Sequence, residues 1–142
     1  MLAEKQEYYK ETGKSLRVTP AKYKKEYPWL GEVDSLALAN AQLHLEAAYK
    51  NFFRDQSVGF PKYKSKHKSK ASYTTNAVNG NIRLGNGRIR LPKVGEVRVK
   101  IHREPEEDWK LKSVTVSRES TGKYYVAVLY QYECSENLPT DP

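Results

Sequence analysis

Two short runs of alternating residues flank the sequence Gly85-Asn86-Gly87. Ile82 and Leu84 precede this turn, Ile89 and Leu91 follow it, and arginines occupy positions between them. Alternation with a period of two around an Asn-Gly pair predicts an antiparallel β-hairpin with a tight turn. Because successive residues of a strand point to opposite faces, the aliphatic side chains share one face and the arginines the other. This part of the chain is therefore expected to form a β-sheet.

The same alternation continues along the chain and returns near the C-terminus. Residues 97–102 alternate between aliphatic residues, which we expect to face inwards, and cations or histidine. A second hairpin is predicted over 111–118 and 123–132, and its last strand is apolar on both faces, which is typical of a central or barrel strand. We therefore expect an antiparallel OB-like β-barrel, or part of one, over about residues 72–132.

Two helices are predicted in the N-terminal half. Residues 3–12 are good helix formers that stop at Gly13, a residue suited to a left-handed cap. The longer helix runs over about residues 35–54, with Asp34 as its N-cap. An apolar stripe at helical spacing marks its core-facing side, while Asn40 is expected on the outside. The stripe comprises Leu38, Leu45, Ala48, Tyr49 and Phe52, widened by Leu36, Ala39, Leu43 and Ala47.

Together these elements predict an α+β fold in which the helices pack on the barrel. The expected division is a helical part at 1–58, a basic linker at 59–71, the barrel domain at 72–133 and a linker tail at 134–142. The single cysteine, Cys134, forms no internal disulfide or zinc cluster. Its isolation favours a reducing, cytoplasmic setting, and no apolar run is long enough for a membrane span.

The charge of the chain is concentrated in one region. Residues 59–103 carry twelve Lys or Arg against one acid, Glu96, a local charge of +11 in a chain whose total is +8. A concentrated positive field suits a polyanion, because each phosphate that a cation neutralises releases condensed counterions. The partner predicted from the residues is RNA, DNA or both.

The predicted contact residues fall into two groups. The first is a lysine tract with a lysine at every second position, which an extended chain would place on one side; the alternative is a solvated charge run. The second is the outward face of the predicted strands. Tyr63 or Tyr73 is a candidate for stacking on a base. The cationic or titratable candidates are Lys62, Lys64, Lys66, Lys68 and Lys70 in the tract, and Arg83, Arg88, Arg90, Lys93, Arg98, Lys100 and His102 on the strands.

Catalysis is not expected of these residues. A nuclease requires convergent carboxylates to hold metal ions. The acidic cluster at 104–108 lies in one predicted loop, where such a block is usually solvated. We therefore predict no catalytic, metal-binding or cofactor-binding residue.

Five segments, in order, resemble the TnpB (OrfB) proteins encoded by insertion sequences, which are RNA-guided nucleases related to the type V CRISPR effectors. These segments cover most of the chain. They are LEAAYKNFFR at 45–54, GFPKYKSK at 59–66, SYTT at 72–75, GNGRIRLPKVGEVRVKIHR at 85–103 and SVTVSRESTGKYYVAVLYQ at 113–131.

The resemblance implies a partial protein, the N-terminal recognition and wedge region without the RuvC-like nuclease domain. In that family these parts hold the guide RNA scaffold and read a short DNA motif, while the missing metal-dependent domain cuts DNA. Carried over by position, the resemblance places motif reading near the start of the long helix and around SYTT, at Ser35, Ala39, Asn40, Tyr73, Thr75, Asn76 and Val78. Asn40 suits an adenine edge, although a structural role on the helix flank is an equal alternative.

Two other functions stay open at this point. One is a structural or regulatory fragment that self-associates through unpaired strand edges. The other is a general RNA-binding or single-stranded-DNA-binding OB-like protein. Phosphate binding weakens with salt, whereas pairing between strand edges does not, so salt dependence separates the binders from the self-associating fragment.

Overall fold

A computed structural model describes residues 1–133, and the predicted tail at 134–142, with Cys134, lies outside them. The fold is α+β, as predicted, with two α-helices and two three-stranded antiparallel sheets. Three 3₁₀ helices, Pro20–Lys24, Pro28–Gly31 and Gln56–Val58, lie among the connections. The other elements are α1 (Leu2–Thr12), α2 (Ser35–Arg54), β1 (Ala71–Asn76), β2 (Arg83–Gly85), β3 (Arg88–Leu91), β4 (Gly95–Arg98), β5 (Lys110–Arg118) and β6 (Tyr124–Gln131).

The strands form two separate sheets, ordered β1-β5-β6 and β2-β3-β4, and no closed barrel is present among residues 1–133. The prediction of a central position for the last strand was wrong, because β6 is an edge of its sheet among residues 1–133 and Tyr124, Tyr125 and Leu129 are exposed. Tyrosine explains part of the error, since its ring can pack while its hydroxyl stays in water.

The two sheets share one hydrophobic core. Ile82, Ile89 and Leu91 from the predicted hairpin region are buried together with Val114 of β5. Ile89 and Val114 are fully buried, so burial of these aliphatic side chains is the main force that holds the sheets together. The inward face predicted for the first hairpin is confirmed.

The end of α1 and the start of α2 lie where their cap residues predict. Gly13 ends α1 with a left-handed φ of 67°, and its N–H donates to the carbonyl of Tyr9. The carboxylate of Asp34 accepts a hydrogen bond from the backbone N–H of Leu36 and so caps α2. These contacts satisfy backbone groups that a helix end leaves without partners.

The core stripe of α2 is narrower than predicted. Leu38, Leu45, Ala48, Tyr49 and Phe52 are buried or half-buried, but Ala39, Leu43 and Ala47 are exposed. Asn40, expected on the outside, is half-buried instead. Its side-chain amide donates to the carbonyls of Leu36, at 3.0 Å, and of Thr74 in β1, at 3.1 Å. The helix packs on β1 through this flank, so a polar residue takes a position that apolar periodicity alone assigned to solvent.

A second, aromatic cluster joins the two helices. Tyr9 of α1 lies 5.3 Å from Phe53 of α2, and Phe60 packs edge-on against Tyr49 at 5.5 Å and Phe52 at 5.1 Å between ring centroids. Edge-to-face pairs of this kind add to the stability gained from burying the rings. The short helix α1 is thus held by α2 and by the segment that follows α2.

Candidate nucleic-acid interface

Arginines cover the exposed face of the β2-β3-β4 sheet. Arg83 is directly opposite Arg90 on β2 and β3, and Arg88 is directly opposite Arg98 on β3 and β4. Residues directly opposite each other on paired strands share a face. All four arginines are exposed, whereas Ile89 between them is buried on the opposite face. The predicted outward facing of these arginines is confirmed.

A shallow cleft lies where this face meets the hairpin turn. Asn86 and Gly87, both with positive φ, form the two-residue turn between β2 and β3. The carbonyl of Gly87 accepts a hydrogen bond of 2.9 Å from the N–H of Val99 and so ties the turn to the chain beyond β4. The cleft has a volume of about 430 Å³ and is lined by Asn86, Gly87, Arg88, Arg98, Val99 and Lys100.

Three cations therefore converge on one open cleft, an arrangement suited to phosphate oxygens, which arginine binds through paired N–H groups. Sequence reasoning did not select Asn86 or Gly87. The sequence feature that could have indicated them is the Asn-Gly turn, because it places polar backbone and side-chain groups next to the arginine face.

One acid lies on the arginine face. Glu96 is directly opposite Arg90, and its Oε2 lies 3.2 Å from Nη1 of Arg88. Both side chains are more than half exposed, so this ion pair contributes little to stability. Among residues 1–133, no carboxylate lies within ion-pair distance of Arg83, Arg90 or Arg98. The face keeps a net positive charge.

The last strand of this sheet, β4, is shorter and less buried than predicted. β4 ends at Arg98, so Lys100 and His102 lie beyond the strand, although both are exposed. Val97 shares the face of Ile89 but is 40% exposed, because it lies on an edge strand that nothing covers among residues 1–133. Lys93 lies in the turn between β3 and β4 with a φ of 66° and is exposed.

All five lysines of the predicted tract are exposed, but the tract is not extended throughout. The N–H of Ser69 donates to the carbonyl of Ser65 at 2.9 Å, and the hydroxyl of Ser69 accepts from the N–H of Ser65 at 3.0 Å. This turn surrounds Lys66 and Lys68 and removes the one-sided lysine array. Serines compete for backbone hydrogen bonds in this way, an effect that the charge pattern concealed.

The two candidate stacking residues differ in access. Tyr63 is 66% exposed in the tract, whereas Tyr73 on β1 is 36% exposed. Partial burial, with a smaller contribution from Asp34, raises the pKa of the Tyr73 phenol. Tyr63 is the more open stacking surface of the two.

Two of the residues assigned to motif reading, Asn40 and Thr75, use their side chains for hydrogen bonds within the protein. Thr75 is fully buried, and its hydroxyl hydrogen-bonds to the Asp34 carboxylate. Both side-chain donors of Asn40 are used within the protein. Asn76 is half-buried, and its backbone carbonyl accepts a hydrogen bond from the side-chain amide of Asn81 at 3.1 Å. A base-reading role for Thr75 does not fit its burial.

Two further features of residues 1–133 concern a metal site and a membrane span. Within residues 1–133, no three His, Cys, Asp or Glu side chains lie close enough together to hold a metal ion. None of the helices in the same range has the length and apolar character needed to cross a membrane.

Comparison with known proteins gives two relatives. The chain is 34% identical over 131 residues to a Streptomyces pristinaespiralis protein named "Putative RNA-guided DNA endonuclease", and 35% identical over 117 residues to the Escherichia coli K12 protein named "Putative RNA-guided DNA endonuclease InsQ". The alignments cover 90% and 82% of this chain but only 30% and 27% of the relatives. No protein-family model matches. Over most of its length, the chain thus belongs to the TnpB/OrfB family that its sequence segments resemble.

Proposed function

We propose that this chain is a nucleic-acid-binding, non-catalytic part of an RNA-guided DNA endonuclease encoded by an insertion sequence. The two relatives described above are named as RNA-guided DNA endonucleases, and the chain spans under a third of their length. In this proposal residues 1–58 contribute to a recognition lobe, 59–71 form a basic linker, and 72–133 form a wedge-like domain whose two sheets are part of an OB-like barrel. Its partners are guide RNA, target DNA or both, in the cytoplasm of a prokaryotic cell, and cutting belongs to a metal-dependent domain outside this chain.

The observation that carries the proposal is the exposed face of the β2-β3-β4 sheet. Four arginines share this face with one acid, and Lys100 adds a further cation at the cleft beside the turn. A solvated antiparallel face needs only polar side chains of mixed character. A face that is almost entirely cationic instead favours contacts to a phosphate backbone, which position a nucleic acid without reading its sequence.

The test is the affinity of the chain for a structured RNA and for duplex DNA of equal length, each titrated with salt. Neutralising four cations together, Arg88→Gln, Arg90→Gln, Arg98→Gln and Lys100→Gln, should lower the affinity and reduce the slope of log affinity against log salt by about three to four. The matched control removes four exposed lysines elsewhere, Lys10→Gln, Lys14→Gln, Lys24→Gln and Lys25→Gln.

An equal loss in the control would show that total charge, not this face, binds the nucleic acid. Preference for the RNA would support a guide-scaffold role. Equal and weak binding to both nucleic acids would contradict that role and would leave a basic chain without nucleic-acid specificity of its own.

A second candidate function rests on β6. This eight-residue edge strand exposes Tyr124, Tyr125 and Leu129, and unpaired edges with apolar side chains promote association. A self-associating fragment should show a molecular mass that rises with concentration and is insensitive to salt. Light scattering at low and high salt distinguishes this behaviour from nucleic-acid binding.

A further inference from the structure

A groove lies on the helical part of the molecule, on a different element from the arginine face. It has a volume of about 310 Å³, at the low end of the range for small-molecule sites. Lys5 of α1, Arg17 of the segment that follows α1, and Glu46, Tyr49, Lys50 and Phe53 of α2 line it.

The groove has an excess of positive charge. Lys5, Arg17 and Lys50 face one acid, Glu46, and no carboxylate of residues 1–133 lies within ion-pair distance of any of the three cations. Lys5 is only 4% exposed, and its ammonium lies 5.7 Å from the centroid of the Tyr49 ring. The Lys5 ammonium borders the groove, and among residues 1–133 this cation–π contact is the one attraction described for it. An anion in the groove would give the ammonium a charged partner.

The wall of the groove is aromatic. Phe53 packs against Tyr9 and Tyr49 but stays 45% exposed, so it presents an open apolar surface beside the cations. Glu46 provides a hydrogen-bond acceptor; one of its oxygens already accepts from Gln42 at 2.9 Å. A ligand that matches all of these features has a planar apolar part, an anionic part and at least one donor.

We propose that this groove binds a nucleoside phosphate. The base packs against Phe53, the phosphate lies among Lys5, Arg17 and Lys50, and Glu46 accepts a hydrogen bond from a sugar hydroxyl or a base N–H. Stacking of a base on an aromatic ring beside cations is the usual mode by which proteins hold single-stranded nucleic acid. The site is independent of the arginine face, since the two share no residue.

The nucleoside phosphate could be a free nucleotide or a nucleotide within a strand, and two ligands distinguish these cases. The chain is titrated by calorimetry with uridine monophosphate and with a uridine tetranucleotide. A second tetranucleotide containing 4-thiouridine is photocrosslinked to the chain, and the adduct is located by mass spectrometry. We expect an adduct within residues 46–53, and binding of the monophosphate, the tetranucleotide or both.

The variant Arg17→Gln/Lys50→Gln should lower the affinity by about tenfold, as expected when charge-assisted hydrogen bonds are lost. Both side chains are exposed, so the fold should be unaffected. The control Lys24→Gln/Lys25→Gln makes the same change of charge outside the groove and should bind as the unmodified chain does. Circular dichroism checks that the variants fold.

Absence of binding by both ligands would overturn the proposal. So would adducts confined to the β-sheets, or affinity that falls only when the arginine face is neutralised. That last result would leave the function proposed for the arginine face intact, and loss of the arginine-face function would leave groove binding measurable with the monophosphate.

Discussion

The hydroxyl of Thr75 in β1 donates a hydrogen bond to the same carboxylate of Asp34 that caps α2. One buried acid therefore joins the start of a helix to the next-to-last residue of a strand, 41 residues further along the chain. Replacing Thr75 with valine keeps the shape of the side chain but removes the donor. We expect Thr75→Val to lower the free energy of unfolding by about 1–3 kcal/mol, because a buried carboxylate loses a partner. Chemical denaturation measures the change, and Thr121→Val, in an exposed turn, should be close to neutral. An unchanged midpoint for Thr75→Val would mean that the bond adds nothing to stability.

The opposed arginines Arg88 and Arg98 should make the fold less stable than it could be. Like charges directly opposite on paired strands cost about 0.2–1 kcal/mol. The variant Arg98→Thr should therefore raise the thermal midpoint at low salt, and added salt should reduce the gain through screening. The same variant should weaken nucleic-acid binding. A lower midpoint at low salt would contradict this account of the pair.

The hydroxyl of Tyr49 is buried and has no hydrogen-bond partner among residues 1–133. Leaving a buried polar group unpaired is costly, so Tyr49→Phe should leave stability equal or raise it, by up to about 1–3 kcal/mol. Tyr23 provides the opposite case, because its hydroxyl hydrogen-bonds to Glu4. Tyr23→Phe should lower stability under the same conditions. Thermal unfolding of the two variants side by side tests the contrast, and a lower midpoint for Tyr49→Phe would show that its hydroxyl has a partner in solution.

Glu4 should make stability depend on pH. The pKa of its carboxyl lies below the usual 4.5, first because Lys22 and then because Tyr23 donates to it. A carboxyl whose pKa is lower in the folded state stabilises that state above its unfolded pKa, and this contribution is lost as the pH falls through the folded pKa. The stability difference between the unmodified chain and Glu4→Gln should therefore be constant near neutral pH and disappear in acid below 4.5. Thermal midpoints across this range measure it. Glu7→Gln, an exposed change on the same helix, should show no such trend.

The features that local sequence predicted correctly are those set by near neighbours. The hairpin with buried Ile89 and exposed Arg88 depends on a two-residue turn, and the start of α2 depends on Asp34 and the residues directly after it. In both cases the responsible contacts lie within a few residues. Alternation and capping chemistry are sufficient to predict them.

The wrong predictions concern features that depend mainly on contacts with residues distant in the sequence. β1 pairs with β5, some forty residues away in sequence, and this pairing leaves β6 at an edge although its composition suits a central strand. Asn40 faces inwards because it donates to Thr74, 34 residues away. The turn between Ser65 and Ser69 arose from side-chain hydrogen bonds that a count of lysines does not register. Periodicity has no access to such pairings.

The segment between α2 and β1 connects two elements that already pack against each other. Its lysines at 62–70 are exposed, and the capping of α2 and its contacts with β1 do not involve them. A protease that cut the chain within this segment should therefore leave two pieces that stay associated. The fold does not depend on the charge of this segment. Its lysines can therefore be gained, lost or moved during evolution with little cost to stability.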